Sequence, residues 1–87
     1  MKVEIYTMEN CGYCQESKKL LEGNNYSYTE HILNEDSTDI ILHLQKRLNT
    51  EQIILPITFI EDTSIVGYFK LADFISKQNL FESGARI

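Results

Sequence analysis

Cys11 and Cys14 are the two cysteines of this chain, and only Gly12 and Tyr13 separate them. The thiolate form of cysteine is both a nucleophile and a metal ligand, so a close pair has three uses: half a zinc site, a structural disulfide, or a redox dithiol. Zinc needs four ligands. Beyond the cysteines there are His31 and His43, separated by eleven residues where a finger has about three to five, and His31 falls on a predicted strand. A structural disulfide across so short a loop contributes only about 2 kcal/mol before strain, and a reducing compartment would open it. The spacing serves the redox dithiol best.

Redox chemistry puts a demand on position. A sulfur just ahead of a helix meets unpaired backbone N–H groups and the positive end of the helix dipole, and both favour thiolate over thiol. The segment Val3 to Thr7 alternates, with Val3, Ile5 and Thr7 on one face and Glu4 and Tyr6 on the other, so it predicts a short strand. From Cys14 to Glu22, "CQESKKLLE" consists of good helix formers, and Gly23-Asn24 closes it as a C-terminal cap. The cysteines therefore sit at a strand-to-helix corner. Cys11 is the expected nucleophile, attacking a substrate disulfide, and Cys14, one turn further in, is expected to attack Cys11 and release the product. Gly12 lets a substrate backbone approach, and Tyr13 offers an aromatic edge beside the sulfur or simply fills the space between cysteines. Lys18 and Lys19 read as a solvated helix face.

The remaining elements follow from periodicity. Tyr26 to Leu33 is rich in aromatic and β-branched residues and predicts a second strand, parallel to the first, with Tyr26, Tyr28 and Ile32 on one side. Ile40, Ile41, Leu44 and Leu48 form one stripe of a helix over about residues 37 to 49, with "NEDSTD" supplying N-cap candidates. "ILPITFIEDTSIVGYF" predicts a hairpin: Ile57 to Ile60, a turn at Glu61-Asp62, then Ser64 to Gly67. Leu71, Phe74, Ile75 and Gln78 mark a third helix fading into the tail "ESGARI". The order β-α-β-α-β-β-α predicts an α/β domain with a four-stranded mixed sheet and three flanking helices. Pro56, the single proline, opens a predicted strand, where it is either edge punctuation or part of a cis Leu55–Pro56 bond that leaves the Leu55 backbone free to pair with a substrate.

Composition narrows the surroundings. Eighty-seven residues make one domain, spanning 1–87, and 43% hydrophobic residues with nine aromatics are enough for a core. A formal charge of −5, with no long run of Lys or Arg, disfavours nucleic acid. "MKVEIYT" alternates charge with apolar residues, and no apolar run approaches the roughly 18 residues of a membrane span. A cytoplasmic monomer without a tightly bound cofactor or metal is expected.

Taken in order and at their spacings, the strand "VEIYT", the Cys-x-Tyr-Cys corner, the proline opening a strand about 40 residues later and the hairpin with Gly67 resemble the glutaredoxins over roughly residues 2 to 80. The resemblance implies the thioredoxin fold, Cys11 as attacking and Cys14 as resolving cysteine, and Pro56 as the cis-proline. It also implies that Gly12, Tyr13, Leu55, Pro56, Gly67 and Tyr68 border the place where substrate or glutathione is held. Protein disulfides, among them that of ribonucleotide reductase, are the implied partners and glutathione the implied reductant. The departures matter. Members commonly carry Lys at the position of Met8, Thr at that of Ile54, Pro at that of Gly12, two glycines at Val66-Gly67, and an acid where Phe69 and Lys70 stand. Both charged handles for glutathione's termini are thus replaced, and some similar small redoxins take electrons from thioredoxin reductase instead. A small residue between the cysteines is also similar to members that assemble a [2Fe–2S] cluster, so an iron–sulfur carrier or a non-catalytic binding module is the alternative.

Overall fold

The computed structural model describes the backbone of residues 2–84 and the side chains of residues 2–78. Its elements are β1 (Val3–Met8), α1 (Gly12–Gly23), β2 (Thr29–Leu33), α2 (Thr38–Leu48), β3 (Ile57–Ile60), β4 (Thr63–Val66) and α3 (Tyr68–Gly84). The strands form one sheet in the order β2-β1-β3-β4, β1 running parallel to β2 and antiparallel to β3, with β3 and β4 a hairpin. This is the predicted β-α-β-α-β-β-α order and mixed sheet.

Alternation along β1 divides the core in two. Val3 and Ile5 join Leu21 of α1, Ile60 and Ile65 of the hairpin, and Leu71 and Ile75 of α3. Tyr6, on the other face, joins Leu33, Leu44 of α2, Ile57 and Phe59. Helices α1 and α3 thus share one face of the sheet and α2 covers the other. Arg47 caps the second cluster, its guanidinium 3.9 Å from the Phe59 ring centroid.

Several local expectations are corrected. The β2 ladder begins only at Thr29, where parallel pairing with Glu4 starts, so Tyr26 and Tyr28 precede it and pack on the α1/α3 core as partly buried residues. Ile32 continues their side of the sheet but stands exposed near the end of the edge strand. In α2 the stripe narrows to Leu44, Ile41 and Leu48, and Ile40 is exposed. Helix α3 starts at Tyr68, directly after the hairpin. It buries Leu71 and Ile75, leaves Gln78 exposed and continues through Glu82 to Gly84, whereas residues 85–87 of the "ESGARI" tail lie outside the described residues.

Leu21 is fully buried between the sheet and α3. A Leu21→Ala change leaves a cavity there and is expected to cost about 2–5 kcal/mol, read as a lower urea midpoint at unchanged slope.

Candidate active site

Strand β1 ends at Met8, the chain turns through Glu9 and Asn10, and Asn10 takes the left-handed φ of 58° that this residue type tolerates. The turn delivers Cys11 to the N-cap of α1 in extended backbone (φ −110°, ψ 108°). There the Cys14 backbone N–H donates to Cys11 Sγ at 3.1 Å, and the Cys11 carbonyl accepts from Gln15 N at 3.2 Å. A sulfur in this position stands in for the hydroxyl or carboxylate oxygen of an ordinary N-cap. The first turn of α1 contains no acidic residue to compete for the positive end of the helix. Cys11 is half-buried and Cys14 fully buried. The two are joined as a disulfide with Cα atoms 5.2 Å apart.

The other predicted residues lie at the same end of the sheet. Register pairs Tyr6 with Ile57, so Leu55 and Pro56 extend past the ladder toward Thr7 and Met8, the end of β1 that leads to Cys11. The Leu55–Pro56 bond is cis and Pro56 is buried. Gly67 N donates to the Pro56 carbonyl at 2.8 Å, tying the end of β4 to the proline, and its φ of 93° suits glycine. Tyr68 follows and stacks on Tyr13 with ring centroids 5.9 Å apart. Gly12 is exposed, and a Cβ there would meet nothing within 4 Å, so the fold makes no demand for glycine at that position.

Three features were not read from the sequence. Phe69 completes a trio of rings, 5.4 Å from Tyr13 and 5.3 Å from Tyr68 by centroids. Lys18 is no solvated residue: it lies on the buried side of α1 with Cys14, Ser17 and Leu21, and its Nζ is 3.0 Å from Glu30 Oε2. The same oxygen accepts a hydrogen bond from the buried Thr7 hydroxyl at 2.7 Å. The Thr7 bond, followed by the Lys18 contacts, holds the Glu30 carboxyl below its ordinary value against the opposing effect of burial. In sequence, Lys18 and Glu30 show only as charges on different elements. Parallel pairing of β1 with β2 brings them together.

The histidines belong elsewhere. His31 stacks on Tyr6 at 4.6 Å and lines a cavity of about 350 Å³ with Asp39, Ile40 and His43 on the α2 face, across the sheet from α1. Among the described residues no group of three or more His, Cys, Asp or Glu is arranged to hold a metal ion. No described helix is long and apolar enough to cross a membrane.

A cysteine pair at the head of the first helix, on a sheet ordered β2-β1-β3-β4 with two helices on one face and one on the other, defines a thioredoxin-fold disulfide protein. Comparison narrows the class. The glutaredoxin family profile matches residues 3–65. Glutaredoxin 1 of Rickettsia bellii is 31% identical over 70 residues, covering 79% of this chain and 71% of that protein. Among solved structures, glutaredoxin 1 of Francisella tularensis in complex with cacodylate superposes with a TM-score of 0.69 at 29% identity, over 87% of this chain and 93% of its own. The buckwheat glutaredoxin–glutathione complex gives 0.73 at 21% identity over 92% and 73%. The dithiolic glutaredoxin of Trypanosoma brucei brucei gives 0.75 at 22% over 93% and 84%. The chain belongs to the glutaredoxin family, and its Cys-x-x-Cys pair makes it a thiol–disulfide oxidoreductase.

The Thr7–Glu30–Lys18 contacts fix a pH dependence. Because the folded carboxyl titrates below 4.5, its contribution is present above the unfolded value and is lost as pH falls through the lowered one. Thr7→Val removes the leading cause. It is expected to cost about 1.5–3 kcal/mol at neutral pH, with the gap to the parent protein shrinking in urea titrations carried below pH 4.5.

Proposed function

We propose that this chain acts as a single domain in which Cys11 is the attacking and Cys14 the resolving thiol of a dithiol–disulfide exchange. The observation that carries the reading is the Cys11 sulfur at the N-cap, half-exposed and accepting the Cys14 N–H, above a fully buried Cys14. The Cys11 thiolate attacks one sulfur of a substrate disulfide, forming a mixed disulfide and expelling the other sulfur as thiolate. Cys14, deprotonated, then attacks Cys11 Sγ, expels the second substrate thiolate and leaves the Cys11–Cys14 disulfide. Two electrons pass to the substrate, and a thiol reductant returns them. Gly12, Tyr13, Leu55, Pro56, Gly67 and Tyr68 are the residues proposed to border the bound substrate. Protein disulfides and glutathione mixed disulfides are the substrate class, with the disulfide of ribonucleotide reductase as a candidate recipient. The cytoplasm, which keeps thiols reduced, suits this chemistry, and a monomer suffices for it.

Glutathione is the reductant proposed from the family. A second reading, reduction by thioredoxin reductase, is favoured by what replaces the charged handles: Met8 and Ile54 are both exposed, and Phe69, second residue of α3, has its ring in the aromatic trio. Each lost charge-assisted contact weakens glutathione by about 1.5–3 kcal/mol.

Cys11→Ser is expected to abolish turnover, whereas Cys14→Ser accumulates mixed disulfides visible by intact mass and keeps reduction of glutathione-linked substrates. In the parent protein the Cys11 thiol should titrate below the free value of about 8.5 by thiolate absorbance, and an unshifted thiol would count against the mechanism. The reductant is decided by supplying glutathione with its reductase, or thioredoxin reductase, in separate coupled assays. Faster NADPH consumption with thioredoxin reductase would establish the second reading over the first.

A further inference from the structure

Seven large apolar side chains stand exposed among the described residues, and they are not scattered. Met8, Tyr13, Ile32, Ile54 and Phe69 belong to the segments that converge on Cys11, and only Ile40 and Leu42 lie away from it, on α2. Two of the five build a shelf. Tyr13, between the cysteines, meets Tyr68 at 22° and Phe69 at 62°, yet Tyr13 and Phe69 remain 55% and 69% exposed. Rings recruited only to pack α1 against α3 would bury more of their surface, since an apolar face left in water contributes nothing to folding. On the other flank, Met8 and Ile32 border a cleft of about 540 Å³ at the ends of β1 and β2, and its rim carries Glu9, Glu35 and Asp36.

Resting on the reading that Cys11 is the attacking thiol, we propose that the disulfide reduced here is carried on a protein segment with a large apolar or aromatic residue beside its cysteine and basic residues further along. A mixed disulfide with Cys11 brings such a segment to this end of the sheet. Tyr13 is two residues from Cys11 in the first turn of α1, so a large side chain beside the bonded substrate cysteine is within reach of the ring shelf. A chain leaving in the opposite direction passes Met8 and Ile32 under the acidic rim, where a cationic side chain is attracted and an anionic one repelled. The charge of the whole molecule, −5, acts in the same sense. Contiguous exposed apolar surface edged by polar groups is the mark of a protein-binding face. Glutathione, small and anionic, would use little of the shelf and meet the rim unfavourably.

The test is single-turnover reduction of disulfide-linked homodimers of short peptides by the pre-reduced protein, with released peptide thiol quantified by chromatography. One peptide has Phe beside its cysteine and a pair of arginines beyond, the second replaces Phe by Ser, and the third replaces the arginines by Glu. Rates are divided by those with dithiothreitol, which removes each peptide's intrinsic reactivity. The Phe/Arg peptide should react about tenfold faster than either relative, and about 0.5 M salt should erase the arginine advantage while sparing the phenylalanine one. Phe69→Ser, at an exposed position, should shrink the Phe-over-Ser ratio about fivefold. Should that variant fail to fold, the three-peptide comparison in the parent protein still decides. Equal normalised rates for the three peptides would overturn the proposal and leave the oxidoreductase mechanism standing. No reduction of any peptide would instead overturn the mechanism on which it rests.

Discussion

A single amide-to-sulfur contact organises this molecule. The Cys14 N–H reaches Cys11 Sγ at 3.1 Å only because β1 stops at Met8, a two-residue turn follows, and α1 begins at Gly12. Each part has its own cause. The strand is paired with β3 as far as Tyr6 and with β2 through Met8, so its end is held in the sheet. The turn depends on Asn10 tolerating a positive φ. The helix is pinned at Leu21, fully buried in the α1/α3 core, and at Lys18 through Glu30. The N-cap position then follows, and with it the difference in exposure between the two cysteines that the proposed exchange uses.

The same corner explains how much of the site was legible in the sequence. A strand that alternates, a helix-forming run ended by Gly-Asn, and cysteines between them locate a helix N-terminus without knowledge of any partner, because all of these signals are local. Pro56 announced the start of a strand but left its cis bond as one of two alternatives, and Gly67 stood out only through the family resemblance. Contacts between distant residues were not. Lys18 looks like a solvated lysine until the parallel register of β1 with β2 puts Glu30 under it, and Phe69 looks like a helix residue until α3 places it against Tyr13. Tyr26 and Tyr28 show the converse error. Their aromatic character suits a strand, but the ladder opens at Thr29, and they are used as packing residues instead.

Glu30 links the core to the corner electrostatically. Its carboxylate accepts the Thr7 hydroxyl and pairs with Lys18, so a strand end, the neighbouring strand and the first helix share one charge network on the α1 face. Partly buried pairs of this kind carry little net stability once desolvation is counted, and their better-attested use is to favour one arrangement over its neighbours. Here the arrangement favoured is the pose of α1 on β1, which sets where the Cys11 sulfur points. The lysine's charge is paired with Glu30, and the contact recorded at the Cys11 sulfur is the Cys14 N–H of the helix terminus.

The two ends of the sheet have opposite character. Where β1 begins and the β3–β4 hairpin turns, Lys2, Glu4, Arg47, Glu61 and Asp62 surround a small cavity with Phe59, and Lys2 N donates to Glu61 Oε1 at 2.9 Å. Two cations and three anions meet there, Lys2 Nζ lying 3.4 Å from Glu4 Oε1, so that end is charged and not apolar. At the thiol end, apolar side chains stand in water beside acids. A chain of 87 residues buries a modest share of its surface, so leaving that much apolar area exposed forgoes folding energy. The asymmetry runs along the sheet axis and coincides with the one end where a covalent bond to another molecule can form. Apolar exposure that a short chain would otherwise bury fits the proposed contact with a segment joined to Cys11, in which the ring shelf and the N-cap sulfur would serve as one surface.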